Sequence, residues 1–176
     1  AAALLWRGGR ILDRHVLRGL SGGPYAAGLL ALRCGPLLEA AVLGLSQRPD
    51  VVLADATGRD HPRRAGLALH LGARLDLPSV GVTNRVLLGE YEEPGDERGS
   101  STPLLVAGET VGYAVRTRAG ARPVLAHAAW RTSPEAARDV LLALSAHWRT
   151  PRPLRAARTL ARTARAAGSP PGVDGP

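Results

Sequence analysis

VVLADATGRDHPRRAGLALHLG, residues 51–72, decides how this chain folds. Val51-Val52-Leu53-Ala54 is an unbroken apolar run, the pattern of a buried strand. It ends at a carboxylate, Asp55. The loop Ala56–His61 follows, and Pro62 stands where proline is suited to start a helix. Leu67, Leu71 and Leu75 recur every four residues, so they share one helical face. A carboxylate at the C-terminal end of a buried strand, facing a loop and a helix N-terminus, is where α/β folds place metals and phosphates. Asp55 therefore has two readings: a group presented to a ligand, or a residue that caps a turn.

Upstream, Ala1–Trp6 and Arg10–Arg18 flank Gly8-Gly9 and read as a β-hairpin. Gly19–Gly28 is a loop rich in glycine and serine, with Pro24-Tyr25 at its centre. Tyr25 either stacks on a base or covers the edge of the core. A helix is expected from Gly28 onward, broken or restarted near Gly35-Pro36, with Leu38, Ala41, Val42 and Leu45 as its buried stripe. Glu39 reads as a solvated helix residue. Downstream, Pro78–Val82 is a short buried strand. Glu90–Ser101 is acidic and polar and reads as an exposed loop. Leu104–Val106, Thr110–Val115 and Val124–Ala126 read as antiparallel or edge strands of the same sheet. Thr132 or Ser133 caps a helix with Pro134 in its first turn and Ala137, Val140, Leu141 and Leu144 on its core face. Arg149, Arg152, Arg155, Arg158, Arg162 and Arg165 step by three or four. If helical, they form one basic stripe, suited either to a phosphate backbone or to plain solvation. Residues 168–176 are expected to be a disordered tail.

The chain has 176 residues, enough for one domain with a proper core. Its formal charge of +8 and pI near 11.2 favour a polyanionic partner. All of that positive charge is arginine, a skew that genome base composition explains as readily as selection for binding. Cys34, the only cysteine, excludes an internal disulfide and a zinc-finger pattern, which suits a reducing cytoplasm. No stretch is long and apolar enough to span a bilayer, and no signal peptide is evident. There is no methionine, even at position 1, so the chain is expected to begin inside a reading frame or after processing.

Asp55, Gly58, His61-Pro62-Arg63, Gly66, Ala68 and His70-Leu71-Gly72 resemble the signature of the endonuclease V family. Leu77–Val82 resembles that family's next strand, and Pro24-Tyr25 with Gly28 resembles its wedge motif. The resemblance runs from about Leu4 to about Leu160. It implies an α/β, ribonuclease H-like mixed sheet flanked by helices, in a single domain spanning residues 1–167. It also implies Mg2+-dependent hydrolysis of DNA or RNA near a deaminated purine, deoxyinosine or inosine, in repair. By the same resemblance Asp55 is catalytic and a metal ligand. Pro24, Tyr25, Gly28, Gly58, His61 and Leu87 contact the nucleic acid or the base. His61 is otherwise a residue capping a helix start, and Leu87 a core leucine.

Several family positions hold other residues. The family's first catalytic aspartate lies on a strand, preceded by a helix, ahead of the hairpin, and nothing in this chain corresponds to it; Asp13 does not fill the role. Cys34 stands where the family has a glutamate ligand, and a thiolate prefers softer metals than magnesium. Glu39 lies roughly 140° further round the helix and points elsewhere. Ala27 replaces the wedge's second proline, and Ala56 a glycine beside the flipped base. Asn84 replaces a lysine at the scissile phosphate. Trp130 replaces a histidine facing the metal, with His127 nearby as a weak substitute. Of the catalytic set only Asp55 remains. The sequence thus allows a nucleic-acid-binding relative with weak or lost nuclease activity, an active endonuclease completed by residues outside this chain, or a protein-interaction module on the same fold. DNA versus RNA and the oligomeric state stay open.

Overall fold

The computed structural model describes residues 1–24, 26, 28–146 and 148–167. Tyr25, Ala27 and the expected tail at 168–176 lie outside them. The expected hairpin is present: β1 (Ala2–Arg7) pairs antiparallel with β2 (Arg10–Val16) about Gly8 and Gly9, both at positive φ. Helix α1 (Leu30–Leu43) leads to β3 (Val52–Ala54), then α2 (Leu67–Leu75) and β4 (Ser79–Thr83). A meander of β5 (Ser101–Val106), β6 (Glu109–Val115) and β7 (Val124–Ala128) precedes α3 (Pro134–Leu144) and α4 (Arg152–Ala166). The second sheet runs β3-β4-β7-β6-β5, with β3 and β4 parallel and the other pairs antiparallel.

Two apolar layers cover this sheet. Leu67, Leu71 and Leu75 of α2 do share a buried face, and they pack with Val52, Ala54 and Leu77 and against Leu38 and Val42 of α1. On the other face Val80, Val82, Val115, Val124 and Ala126 meet Ala137 and Leu141 of α3 and Leu154 of α4. Strand alternation sends Val80 and Val82 to α3 while Ser79 and Gly81 face α2. Helix α3 starts as expected: Ser133 Oγ accepts from the Ala136 N–H at 3.1 Å and Pro134 fills the first position. An apolar cleft of about 390 Å³ lies between β1, β3 and α4, and among the described residues β1 pairs only with β2 and β3 only with β4.

Three expectations need correction. Pro62 does not start a helix. Arg64 has φ +54, Gly66 N–H donates to Gly58 O and Ala68 N–H to Thr57 O, so residues 62–66 fold back on the loop and α2 begins at Leu67. Helix α1 does not break at Gly35-Pro36 but runs through both. Proline removes one N–H there, and beside that gap Gly22 N–H donates to Arg33 O at 3.1 Å. Glu39 is not simply solvated: its carboxylate takes both Nε and Nη2 of Arg74 on α2, at 3.0 and 3.1 Å. The acidic loop 90–101 is exposed, as expected, and it is tied down from beneath. The Arg116 guanidinium, 5% exposed, donates to Gly95 O and Pro94 O and pairs with Glu93 and Asp96, while Glu90 bridges to Leu105.

That clasp is testable. Arg116→Ala leaves buried carbonyls without donors, each costing about 1–3 kcal/mol. Urea unfolding should show a loss of at least about 2 kcal/mol, and limited proteolysis should cut the variant within residues 93–99 before the rest of the chain.

Candidate functional site

Asp55 follows directly on β3, at the strand's C-terminal end. Its side chain is 46% exposed, and both oxygens are taken by Arg158 of α4: Nε and Nη2 each lie 2.5 Å away, a bidentate fork. Asp55 holds the proton on Arg158 more firmly than usual, against the effect of partial burial. The arginine spacing along the tail is visible in the sequence. That one of these arginines crosses the chain to Asp55 is not, since 103 residues separate the partners.

The loop after Asp55 is shaped by close backbone packing. A side chain at Gly58 would meet Ala128 O at 2.1 Å, so the loop crosses β7 only as glycine. Arg59 N–H donates to Ala128 O at that crossing. Asp60, fully buried, then accepts from three backbone amides: Leu87 at 2.8 Å, Leu88 at 2.8 Å and Gly89 at 3.0 Å. This carboxylate draws the 87–89 loop against the His61 turn, and sequence reasoning missed it because no local pattern marks it. His61 is buried, and its Nδ1 accepts from the Arg63 N–H at 3.2 Å, which leaves Nε2 as the ring's donor in the neutral form. Gly28, at φ +73, packs beside that imidazole, and its carbonyl accepts from Arg63 Nη1 at 3.2 Å. Gly28, Gly58, His61 and Leu87, apart by up to 59 positions, are thus gathered around one loop: Arg63 ties Gly28 to His61, and Asp60 ties Leu87 to the same turn. Leu87 is half exposed and not a core leucine. Pro24 is exposed on the preceding loop, and Tyr25 lies outside the described residues.

Asn84 and Trp130, two of the substituted family positions, lie toward opposite ends of β4. Asn84 is exposed at the end of β4, and Cys34 is a half-buried free thiol on α1. Trp130 packs beside Ser79, its N–H donating to Ser79 Oγ and its carbonyl accepting from Ser79 N–H. Ser79 is the ladder partner of Val52, at the opposite end of β3 from Asp55, so Trp130 does not stand over the carboxylate. His127 is fully buried on β7, and Thr83 Oγ1, which donates to Arg85 O, accepts from its Nε2–H at 2.8 Å. That assignment leaves Nδ1 a buried lone pair without a partner. Burial pushes the imidazole down to about 4, opposed by the field of Asp60. It is a neutral structural histidine rather than a ligand beside Asp55. Among the described residues no three His, Cys, Asp or Glu side chains converge. One carboxylate, already paired with arginine, does not match the oxygen-rich shell magnesium requires.

A mixed sheet with a parallel β3–β4 pair, an antiparallel meander and helices on both faces defines the ribonuclease H-like class of α/β proteins. Within that class the chain belongs to the endonuclease V family, whose model matches residues 1–159. It is 42% identical to an endonuclease V of Roseiflexus sp. over 151 residues, covering 86% of this chain and 68% of that protein. It is 41% identical to one from Xanthomonas campestris pv. campestris, covering 85% and 64%. The crystal structure of endonuclease V from Streptomyces avermitilis superposes with a TM-score of 0.79 at 40% identity, over 83% of this chain and 64% of that one. The chain therefore spans about two thirds of the length of the relatives it matches.

Two outcomes follow from this geometry. Asp60→Asn keeps an acceptor for Leu88 and Gly89 but turns an NH2 toward the Leu87 N–H or leaves it bare. We expect a loss of about 2 kcal/mol, with faster hydrogen exchange at residues 87–89. In the unfolded chain His127 takes up its proton as pH falls through about 6.5, but in the folded one only near 4. Between those values the unfolded state binds more protons, so stability is fully present above the window and declines as pH falls through it. The loss should approach about 3 kcal/mol by pH 4. Thermal unfolding at pH 7 and pH 4.5 should show it, and the pH difference should shrink in His127→Gln.

Proposed function

We propose that this chain recognises a nucleic-acid strand at a deaminated purine, deoxyinosine or inosine, and that phosphodiester hydrolysis by the chain itself is weak or lost. One observation carries the reading: the single catalytic carboxylate that the family resemblance retains, Asp55, is held on both oxygens by Arg158. The recognition side is better equipped. With its Nδ1 accepting from the Arg63 N–H, the His61 ring offers its Nε2–H toward the Gly28 turn, a donor suited to a base carbonyl. Arg63, fixed to Gly28 O, places a permanent cation beside it. Leu87 supplies exposed apolar surface against which a base can rest. No catalytic step is assigned to a magnesium ion, because the residues present do not supply its ligands.

A second reading has its own support. The matched part covers only 68% and 64% of two of the relatives, so further carboxylates contributed from outside residues 1–176 would restore metal-dependent cleavage near the lesion.

The test is incubation of an inosine-containing single strand with the chain and Mg2+ or Mn2+, beside Asp55→Ala. We expect no nicking, and binding at least tenfold tighter than to the matching adenine strand, a difference of about 1.4 kcal/mol that His61→Ala reduces. Metal-dependent nicking that vanishes in Asp55→Ala would overturn the claim of weak or lost hydrolysis. Equal binding of both strands would remove the base-recognition claim.

A further inference from the structure

We propose that a second surface, the groove between the β1–β2 hairpin and α4, is a track for single-stranded nucleic acid leading away from the Asp55 end of the sheet. This rests on the reading that the protein binds nucleic acid, but it uses none of the residues around Gly28, His61 and Leu87. The groove is open and holds about 730 Å³. Leu4 and Ile11 of the hairpin and Leu160 of α4 give it apolar walls, while Arg14, Arg152 and Arg155 line it with cations. Arg155 lies 4.2 Å over the ring centroid of Trp148, whose indole is 48% exposed. Arg152 sits 5.4 Å over Trp6.

Charge decides the class of partner. No carboxylate lines the groove, and none occurs in α4 or β1. Asp13, the one acid in β2, is turned to the Ser46 and Arg14 backbone amides. Among the described residues the guanidiniums of Arg14, Arg152 and Arg155 enter no ion pair or hydrogen bond, unlike Arg158 one turn further along the same helix. Guanidiniums free of ion pairs among the described residues, two of them stacked on indoles of which Trp148 is half exposed, match what single strands need: phosphate contacts along one side and an aromatic surface for a base. A duplex keeps its bases stacked and offers Trp148 nothing. A bilayer is a poor fit, because an interfacial helix turns large apolar residues outward, whereas the exposed positions of α4 are Arg152, Arg155, Thr159, Arg162, Thr163, Arg165 and Ala166. From Arg152 to Arg165 the helix runs about 20 Å, room for three or four nucleotides of extended strand.

The experiment is fluorescence anisotropy with two labelled 20-nucleotide single strands, alike except for one central inosine, titrated at several salt concentrations. The proteins are the unaltered chain, Arg152→Ala/Arg155→Ala and Trp148→Ala. For the double variant we expect both strands to bind at least tenfold more weakly. Its log–log salt slope should be shallower by about 1.4, two phosphates at about 0.7 each, and its ratio between the strands should not change. Trp148→Ala should weaken both strands roughly fivefold or more. If the unaltered chain binds and the double variant keeps its affinity and slope, the groove is not a nucleic-acid track, and the proposed function survives. If the unaltered chain binds neither strand, both fail. If phosphatidylserine vesicles are bound instead, and the double variant loses that binding, the surface serves a membrane and the proposal is overturned.

Discussion

Asp60 is a fully buried carboxylate held by three amides of one short loop, and among the described residues no cation pairs with it. Burying such a charge is costly unless every lone pair is used. Its placement therefore fixes two segments that do not otherwise pair, the turn before His61 and the stretch after β4. Gly58 is the companion constraint, because only a residue without Cβ lets the loop cross β7 at Ala128. Together they set where His61 and Leu87 stand. The proposed recognition surface therefore depends on backbone amides more than on the side chains that would touch a base.

At the end of β3 a different balance holds. A carboxylate facing solvent with no cation nearby would bind metal or water, but Arg158 is close enough to claim both oxygens of Asp55. Among the described residues the same helix carries arginines without an ion pair on either side of that contact, Arg155 and Arg162. One element thus holds a charge closed within the molecule and, by the inference above, charges open to a partner. The neutral His127 beneath the loop contributes to neither, since burial has removed its capacity to carry charge near neutral pH.

Much of the fold was legible because it is written in local patterns. The Gly8-Gly9 turn, the apolar run into Asp55, the leucine spacing of α2, the Ser133-Pro134 start of α3 and the three late strands all follow from periodicity and turn chemistry. Pro62 misled because its favourable position was overridden by hydrogen bonds from Gly66 and Ala68 back to the loop. Proline at 36 misled in the opposite sense: a helix tolerates one missing N–H when packing on both sides holds it. The contacts that define the site were not legible. Asp60 reaches 27 residues ahead and Arg158 reaches 103 back, and no spacing rule covers either. Motif resemblance supplied which residues to watch; only the fold shows that Asp55 is engaged by arginine and that Trp130 stands at the far end of the strand.

The arginines along α4 have a consequence for how this chain behaves in solution. Molecules that each carry a formal charge of +8, all of it on arginine, repel one another. Added electrolyte screens this repulsion and, by the proposed function, loosens the grip on phosphates at the same time. Ionic strength therefore sets two properties together: low salt favours dispersed molecules that hold polyanions tightly, and high salt favours molecules that release them and cohere.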